Sequence, residues 1–553
     1  MFSPMPATTR TRRSLDPIKI EIIRSLLEYG AQHMAHALWR SSSSTVVREV
    51  LDYSTALFAA NGEMVAQSAQ LPFQMMTMSP PLRKLVKEGY PFEPGDVVLL
   101  NDPYLAAAQH LPDLMVFRPL FSQGRLVGFA GAVAHMLDIG GGAAGSYLAT
   151  ATEIFQEGLR LPPVKIERRG RANNEMMQLI ALNVRESEKV LGDLRAMIAC
   201  TAIGEEAFIA AAKKHGLGTV TQAMQDVLDQ SERMLRSRLA RLPKGVMHAV
   251  DFVDDDGIDD HPIRLELALY RQGRTVILDF SKSSPQVKGP VNVTLAMTEA
   301  TVNYVLMAAF GENIPKNDGC RRVVKIIAPL GTILNAREPA PVASRVTICH
   351  RLVDVILQAL SKKMPEKVMA GYYGVSTICN IGGRDPLTHR QWIHFEIEVG
   401  GWGARSGSDG PDAFSAHIHN LANTPIEIVE EGLALRVERY ELVSGSGGRG
   451  TYRGGLGLRR DIRVLQSGVS LNLLTDRCKF PPKGLRGGEN GRSGGYRLNP
   501  GTVHEKPLPS KLANYPLSRG DVISMTTPGG GGFGPPSLRP ACLRARDRRE
   551  GKV

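Results

Sequence analysis

The chain has 553 residues, 43% of them hydrophobic and 22% charged, which is ordinary globular usage and enough to bury a large core. Its net charge of +12 gathers at the ends, in "TTRTRRS" and "RPACLRARDRREGKV"; with no aromatic interleaving these read as solvated segments, not a nucleic-acid surface. There is no apolar run of about 18 residues, no N-terminal h-region and no Cys-x-x-Cys pair, so no membrane span, secretory leader or thiolate zinc site is expected, and the reading is a reduced, cytoplasmic protein.

Residues 1–15 read as a disordered lead-in. "LDPIKIEIIRSLLEYGAQHMAHALWR" has apolar residues at helical spacing behind Pro17. His33 and His36 lie on it, but no carboxylate motif accompanies them. "YSTALFAANGEMVAQ" is a hairpin about Asn61-Gly62, a dipeptide suited to a type I′ turn. "LMVFRPLF", "SQGR" and "LVGFAGAVAH" form a second hairpin with its turn near Gln123-Gly124. Residues equidistant from a hairpin turn lie side by side. Asp113 therefore falls opposite His135, and His110 opposite Asp138. Two imidazoles and two carboxylates converging at the open end make a candidate divalent metal site of mixed N/O character, suited to Mn²⁺, Fe²⁺ or Zn²⁺. Asp102, upstream in "NDPY", is within reach as a further ligand or a partner of a histidine. The alternative is that these are ordinary strand-end residues that hydrogen-bond one another.

Residues 172–242 read as a helical block. "HPIRLELALYRQGRTVILDFS" is a third hairpin, and "TEATVNYVLMAAFG" and "RLVDVILQALSKKM" are helices. From about Phe395 strands and Gly-rich turns dominate. The fold class expected is α+β, with soft boundaries: 16–244 α+β with the metal hairpin and helical block, 245–390 mixed, 391–536 β- and Gly-rich, and 537–553 a basic disordered tail. Gly445-x-Gly447-x-x-Gly450 opens no helix and so is not a dinucleotide fingerprint. No Gly-x4-Gly-Lys-Ser/Thr occurs. "DDDGIDD" fails the register of a calcium loop. Cys349 and His350 are adjacent on a predicted helix and point about 100° apart, against a nucleophile pair. Arg405 and Asp409, set among glycines with Glu396 and Glu398, are candidate substrate contacts, as are Arg185 and Arg160; arginine suits an oxyanion or carboxylate.

The stretches "GDVVLLNDPYLAAAQHLPDLMVFRPLF", "AHMLDIGG", "QEGLRLPPVKI", "LNVRESEKVLGDLRA", "VLDFSKSSPQVKGPVN", "VGGWGARSGSDGPDAF", "RCKFPPKGLRGG" and "TPGGGGFGPP" resemble, in order, the hydantoinase B/oxoprolinase family. The likeness covers residues 16–536. It implies the B-type subunit of an ATP-dependent cyclic-amide hydrolase of hydantoinase or 5-oxoprolinase type. An A-type partner would bind ATP in a hetero-oligomer, with no nucleic acid or membrane involved. The resemblance also implies a divalent metal, Mn²⁺ ahead of Zn²⁺ or Fe²⁺, with ligands falling on His110, Asp113 and His135 and with Asp138 or Asp102 close by. Asp138 or Asp102 would serve as general base, and Arg160 as a further catalytic candidate. The chain departs from the family pattern where Ala106, Ala107, Ala108 and Gln109 precede His110, and where Gln74 and Met136 stand in place of histidines. Two further readings stay open: an ATP-dependent ketone carboxylase subunit, and a divergent non-catalytic assembly or metabolite-binding subunit.

Overall fold

The computed structural model describes residues 15–553 apart from Met75, so all but the last residue of the lead-in lies outside it. Helices α1 (Pro17–Ser41) and α2 (Thr45–Arg48) open the chain, followed by strands β1 (Tyr53–Ala59) and β2 (Met64–Ala69), helix α3 (Ser79–Lys87), and strands β3 (Val97–Leu100), β4 (Asp113–Ser122), β5 (Arg125–His135), β6 (Val164–Arg168) and β7 (Arg171–Ala172). The seven strands form one antiparallel sheet in the order β2-β1-β5-β4-β3-β6-β7. The helical block follows as α4 (Asn174–Asn183), α5 (Ser187–His215) and α6 (Leu217–Leu239).

Both faces of this sheet are apolar, and the strand period of two sorts them. Leu114, Val116, Ala130, Ala132 and Ala134 pack toward α1, α5 and α6. Met115, Phe117, Phe129 and Val133 face the other way, into the largest core. That core continues onto β8 (Met247–Val253), β9 (Ile263–Gln272) and β10 (Thr275–Asp279), helix α7 (Leu295–Phe310), strand β11 (Val324–Ile327) and helix α8 (Arg345–Ser361). Every residue of α8 but Gln358 is buried, so it is a central helix rather than a surface one.

The chain closes with β12 (Thr377–Arg384), β13 (Gln391–Glu398), α9 (Ile426–Gly432), β14 (Leu435–Leu442), β15 (Leu458–Val464), β16 (Val469–Leu474), β17 (Gly495–Leu498), β18 (Lys506–Leu508), β19 (Lys511–Leu517), β20 (Val522–Thr526) and α10 (Ala541–Arg549). Sheets β13-β12-β16-β19 and β14-β15-β20-β17-β18 sandwich a third core. The α+β class is as expected. Strand β12 starts before residue 390, so the expected boundary there cuts through a hairpin.

Three details differ from expectation. Gln123 and Gly124 both have positive φ (50° and 74°), so the I′ turn sits there; at the first hairpin only Gly62 does, and Asn61 does not. The glycines after residue 400 are not mere turns: their segments pack backbone to backbone, and a Cβ on Gly530 would stand 1.9 Å from the Trp402 carbonyl oxygen. The basic tail is not disordered. Its helix α10 is fastened by Arg539 and Arg546 to Asp409 and by Lys552 to Asp412.

Candidate metal centre

The β4–β5 hairpin keeps the register its turn dictates: Asp113 pairs directly with His135. Both side chains point to the face shared with Met115 and Val133, toward α8. His110 reaches the same place from the turn before β4. These three bring ligand atoms within 4.8 Å of one another, and all three are buried. His110 Nδ1 donates to the Ala343 carbonyl (3.1 Å), so its Nε2 carries a lone pair facing Asp113 Oδ2 at 3.2 Å. His135 Nε2 meets the Tyr147 hydroxyl at 3.2 Å, and its Nδ1 has no hydrogen-bond partner. Asp113 Oδ1 is likewise unpaired.

Around the triad lie residues that the sequence did not flag. Arg345, the first residue of α8, donates Nη2 to Asp113 Oδ2 at 2.5 Å and to Gln109 Oε1 at 3.1 Å. Asp52 is buried beside Asp113, accepts Gln74 Nε2 at 2.7 Å, and lends its backbone carbonyl to the His135 N–H. Phe395 and Tyr147 wall the imidazoles, with the Phe395 ring 5.0 Å from His135. Arg345 is separated from Asp113 by 232 residues, and no local pattern announces it.

The electrostatics follow from burial. Desolvation, with the charge of Arg345 second, pushes His110 down to about 4. Desolvation likewise takes His135 down to about 3. Both imidazoles are therefore neutral at physiological pH, the state a metal requires. Burial alone would raise Asp113, but His110 and the Arg345 guanidinium reverse this and hold it below the usual carboxylate range. Asp52 moves the other way: burial, then the charge of Asp113, lift it well above that range.

Several expected site residues are elsewhere. Asp138 does not join the His110–Asp113–His135 group: Oδ1 accepts the N–H groups of Gly140 and Arg185, and Oδ2 accepts Gly145 N–H and Arg185 Nη1. With its lone pairs spent on that loop, it is a clamp. Asp102 is tied to Tyr104 N–H, Leu105 N–H and Arg160 Nε, and Arg160 also holds Glu338. Each is held by its own loop and arginine, and neither is grouped with His110, Asp113 and His135. Arg185 clamps Asp138 and the carbonyls of Gly141 and Ala143. Asp409 takes the tail arginines Arg539 and Arg546 and the Arg453 N–H. Arg405 is exposed on a turn closed by Ser408. The structure joins none of these last three to the triad. Met136 packs into the core on the opposite face of the sheet, so the departure there does not touch the His110–Asp113–His135 group. Cys349 is buried with its thiol pushed up to about 11, and His350 bonds Tyr372 and Ser376 instead.

Two buried imidazoles and one buried carboxylate form a mixed N/O donor set of the kind that can hold a divalent metal ion. The model of the hydantoinase B/oxoprolinase family matches residues 16–536, and the chain belongs to that family. It is 32% identical to the B-type subunit of a putative D-/L-hydantoinase from Pseudomonas sp. (strain NS671), over 95% of this chain and 91% of that one. The crystal structure of an ATP-dependent caprolactamase from Pseudomonas jessenii superposes with a TM-score of 0.91 at 28% identity, covering 98% of this chain and 95% of that one. A nucleotide-free acetone carboxylase structure shares the fold (TM-score 0.88, 20% identity, 97% of this chain and 78% of that one). Among the described residues, no helix is long and apolar enough to cross a membrane.

Proposed function

We propose that this chain is the B-type subunit of an ATP-dependent cyclic-amide hydrolase, holding a divalent metal at His110, Asp113 and His135 and working with an A-type subunit that carries ATP. The observation that carries this reading is the set of unpaired donors: His110 Nε2, His135 Nδ1 and Asp113 Oδ1 are buried and lack hydrogen-bond partners at one place. Three such atoms on neighbouring buried side chains call for an explanation, and a bound ion is one. The donor set fits Mn²⁺, Zn²⁺ or Fe²⁺. A metal bound there would supply Lewis acidity and a water of lowered pKa.

The protein's own residues prepare that site. The Ala343 carbonyl fixes the His110 tautomer. Arg345 donates to Asp113 Oδ2, the oxygen that also faces His110, and leaves Oδ1 without a hydrogen-bond partner. Phe395 and Tyr147 keep water from the rings. Within this reading Asp52, buried beside Asp113 with one carboxylate oxygen held by Gln74, is the candidate proton carrier, and burial followed by the charge of Asp113 favours its protonated form. The lack of a phosphate-binding loop in the sequence is consistent with ATP on a partner, and the hydantoinase and caprolactamase relatives support a hydrolase of hetero-oligomeric type. All six cysteines are free thiols, as a cytoplasmic location would have them.

Plasma mass spectrometry of the purified chain is the first test. About one Mn²⁺, Zn²⁺ or Fe²⁺ per chain is expected, lost in the His110→Ala, His135→Ala double variant. A wild type that stays empty after incubation with each metal sinks the metal assignment and favours a non-catalytic role. With the A-type partner, ATP-dependent ring opening is expected without bicarbonate; a bicarbonate requirement would favour the ketone carboxylase instead.

A further inference from the structure

Close to the triad, three buried amide atoms have no partner. Asn380 on β12 is fully buried, yet neither Oδ1 nor Nδ2 is hydrogen-bonded among the described residues; Nδ2 of Asn472 on β16 is also unpaired. Such groups are rare in native proteins and need an explanation. Register shows where they point. Asn380 pairs with Asn472 on one side and with Phe395 on the other. Residues directly opposite in antiparallel strands share a face. Asn380, Asn472 and Phe395 therefore project together, and the Phe395 ring lies 5.0 Å from His135.

Two residues along the same face, Gly382 pairs with Ser470. Both line an open cleft of about 260 Å³ whose other walls include Ala144, Arg185, Trp392 and Asn514. The cleft wall and the amide pair thus lie two residues apart on one face of the β13-β12-β16-β19 sheet, and Phe395 on that face meets His135 of the neighbouring seven-stranded sheet. The loop after β5 lies over the amides. A Cβ on Gly145 would stand 2.5 Å from Asn380 Nδ2, and one on Gly382 would stand 2.6 Å from Ala144 Cβ. The loop's residues there are small, and it is anchored by Asp138 and Arg185 at its base.

We propose that Asn380, with Asn472 beside it, recognises the amide edge of a cyclic amide that enters by this cleft. The proposal rests on the hydrolase reading above and names the group that selects its substrate. An amide inside a small ring is cis, so its N–H and C=O point the same way. A side-chain carboxamide offers the matching acceptor and donor, in either orientation of the Asn380 amide. A cyclic ketone or an N-methyl lactam leaves the acceptor unpaired, and a site built to hydrogen-bond rejects such analogues strongly.

The test uses the full-length, Mn²⁺-loaded chain and saturation-transfer NMR with 2-pyrrolidinone, N-methyl-2-pyrrolidinone and cyclopentanone. Wild type is expected to bind the N–H lactam at least about tenfold more tightly than the other two. Asn380→Leu is expected to erase that preference, keep its metal, and melt at the same or a higher temperature, because leucine removes unsatisfied polar atoms. A merely structural asparagine would instead lower the melting temperature when lost. Asn380→Asp, which keeps the shape, provides the same reading should the leucine variant not fold. A folded, metal-loaded variant with the lactam preference intact overturns the subsite and leaves the hydrolase reading standing. A wild type that binds ketone as well as lactam overturns both.

Discussion

Glu157 shows how a single buried group sets a pH dependence. One carboxylate oxygen accepts the Ala343 N–H, from the segment whose carbonyl orients His110; the other has no partner. Burial pushes its pKa from 4.5 up to about 8. The sign follows from proton counting. Between those values the folded state keeps a proton that the unfolded chain has lost, so stability falls as pH rises through that window. Glu157→Gln keeps an acceptor for Ala343 and removes the penalty. The variant should match wild type below pH 5 and exceed it at pH 8 by on the order of a few kcal/mol, read from denaturant midpoints at the two pH values. Equal midpoint differences at both would refute the assignment. At this scale the sequence was a partial guide. His110, Asp113 and His135 were legible because hairpin register is local. Arg345, Asp52 and Asn380 were not, because their relation to the triad is made by packing between segments far apart in the chain.

Elements were more legible than residues, apart from the tail helix α10 and the glycine-rich region. The hairpins and helices carry their periods in the sequence, and the structure has them where the pattern put them. The glycine-rich region read as turns and proves to be a packed layer. There a glycine is needed for close backbone approach, not for its φ. Gly530→Ala should therefore cost about 3 kcal/mol, since its Cβ meets the Trp402 carbonyl at 1.9 Å. Gly495→Ala has nothing within 4 Å and should change stability by no more than about 0.5 kcal/mol. Urea unfolding of the two variants side by side decides it; equal effects would mean that the layer has room to yield.

At the level of the whole molecule, the C-terminal segment acts as a fastener. It lies beyond the family match, which ends at residue 536. Arg539 is nearly buried between Asp409 and Asp547, and Arg546 and Lys552 add pairs to Asp409 and Asp412. Ending the chain after Leu538 strips Asp409 of two arginines. A loss of about 1–2 kcal/mol is expected, seen as a fall in melting temperature, with metal content unchanged. Because the interactions share one partner, Asp409→Asn and the truncation should be less than additive. Full additivity would separate the tail from Asp409.

The sequence by itself determined the α+β elements, the facing of Asp113 and His135, and the family, because each depends on short-range period, turn chemistry or ordered motifs. Only the tertiary structure decided that Asp138 and Asp102 are clamps, that Asp409 belongs to the tail, and that Arg345 meets Asp113 and Asn380 shares a sheet face with Phe395, which packs on His135. A carboxylate's role depends on which donors have already taken its lone pairs. Those donors come from backbone N–H groups and arginines whose positions are set by the packing of sheet, central helix and sandwich.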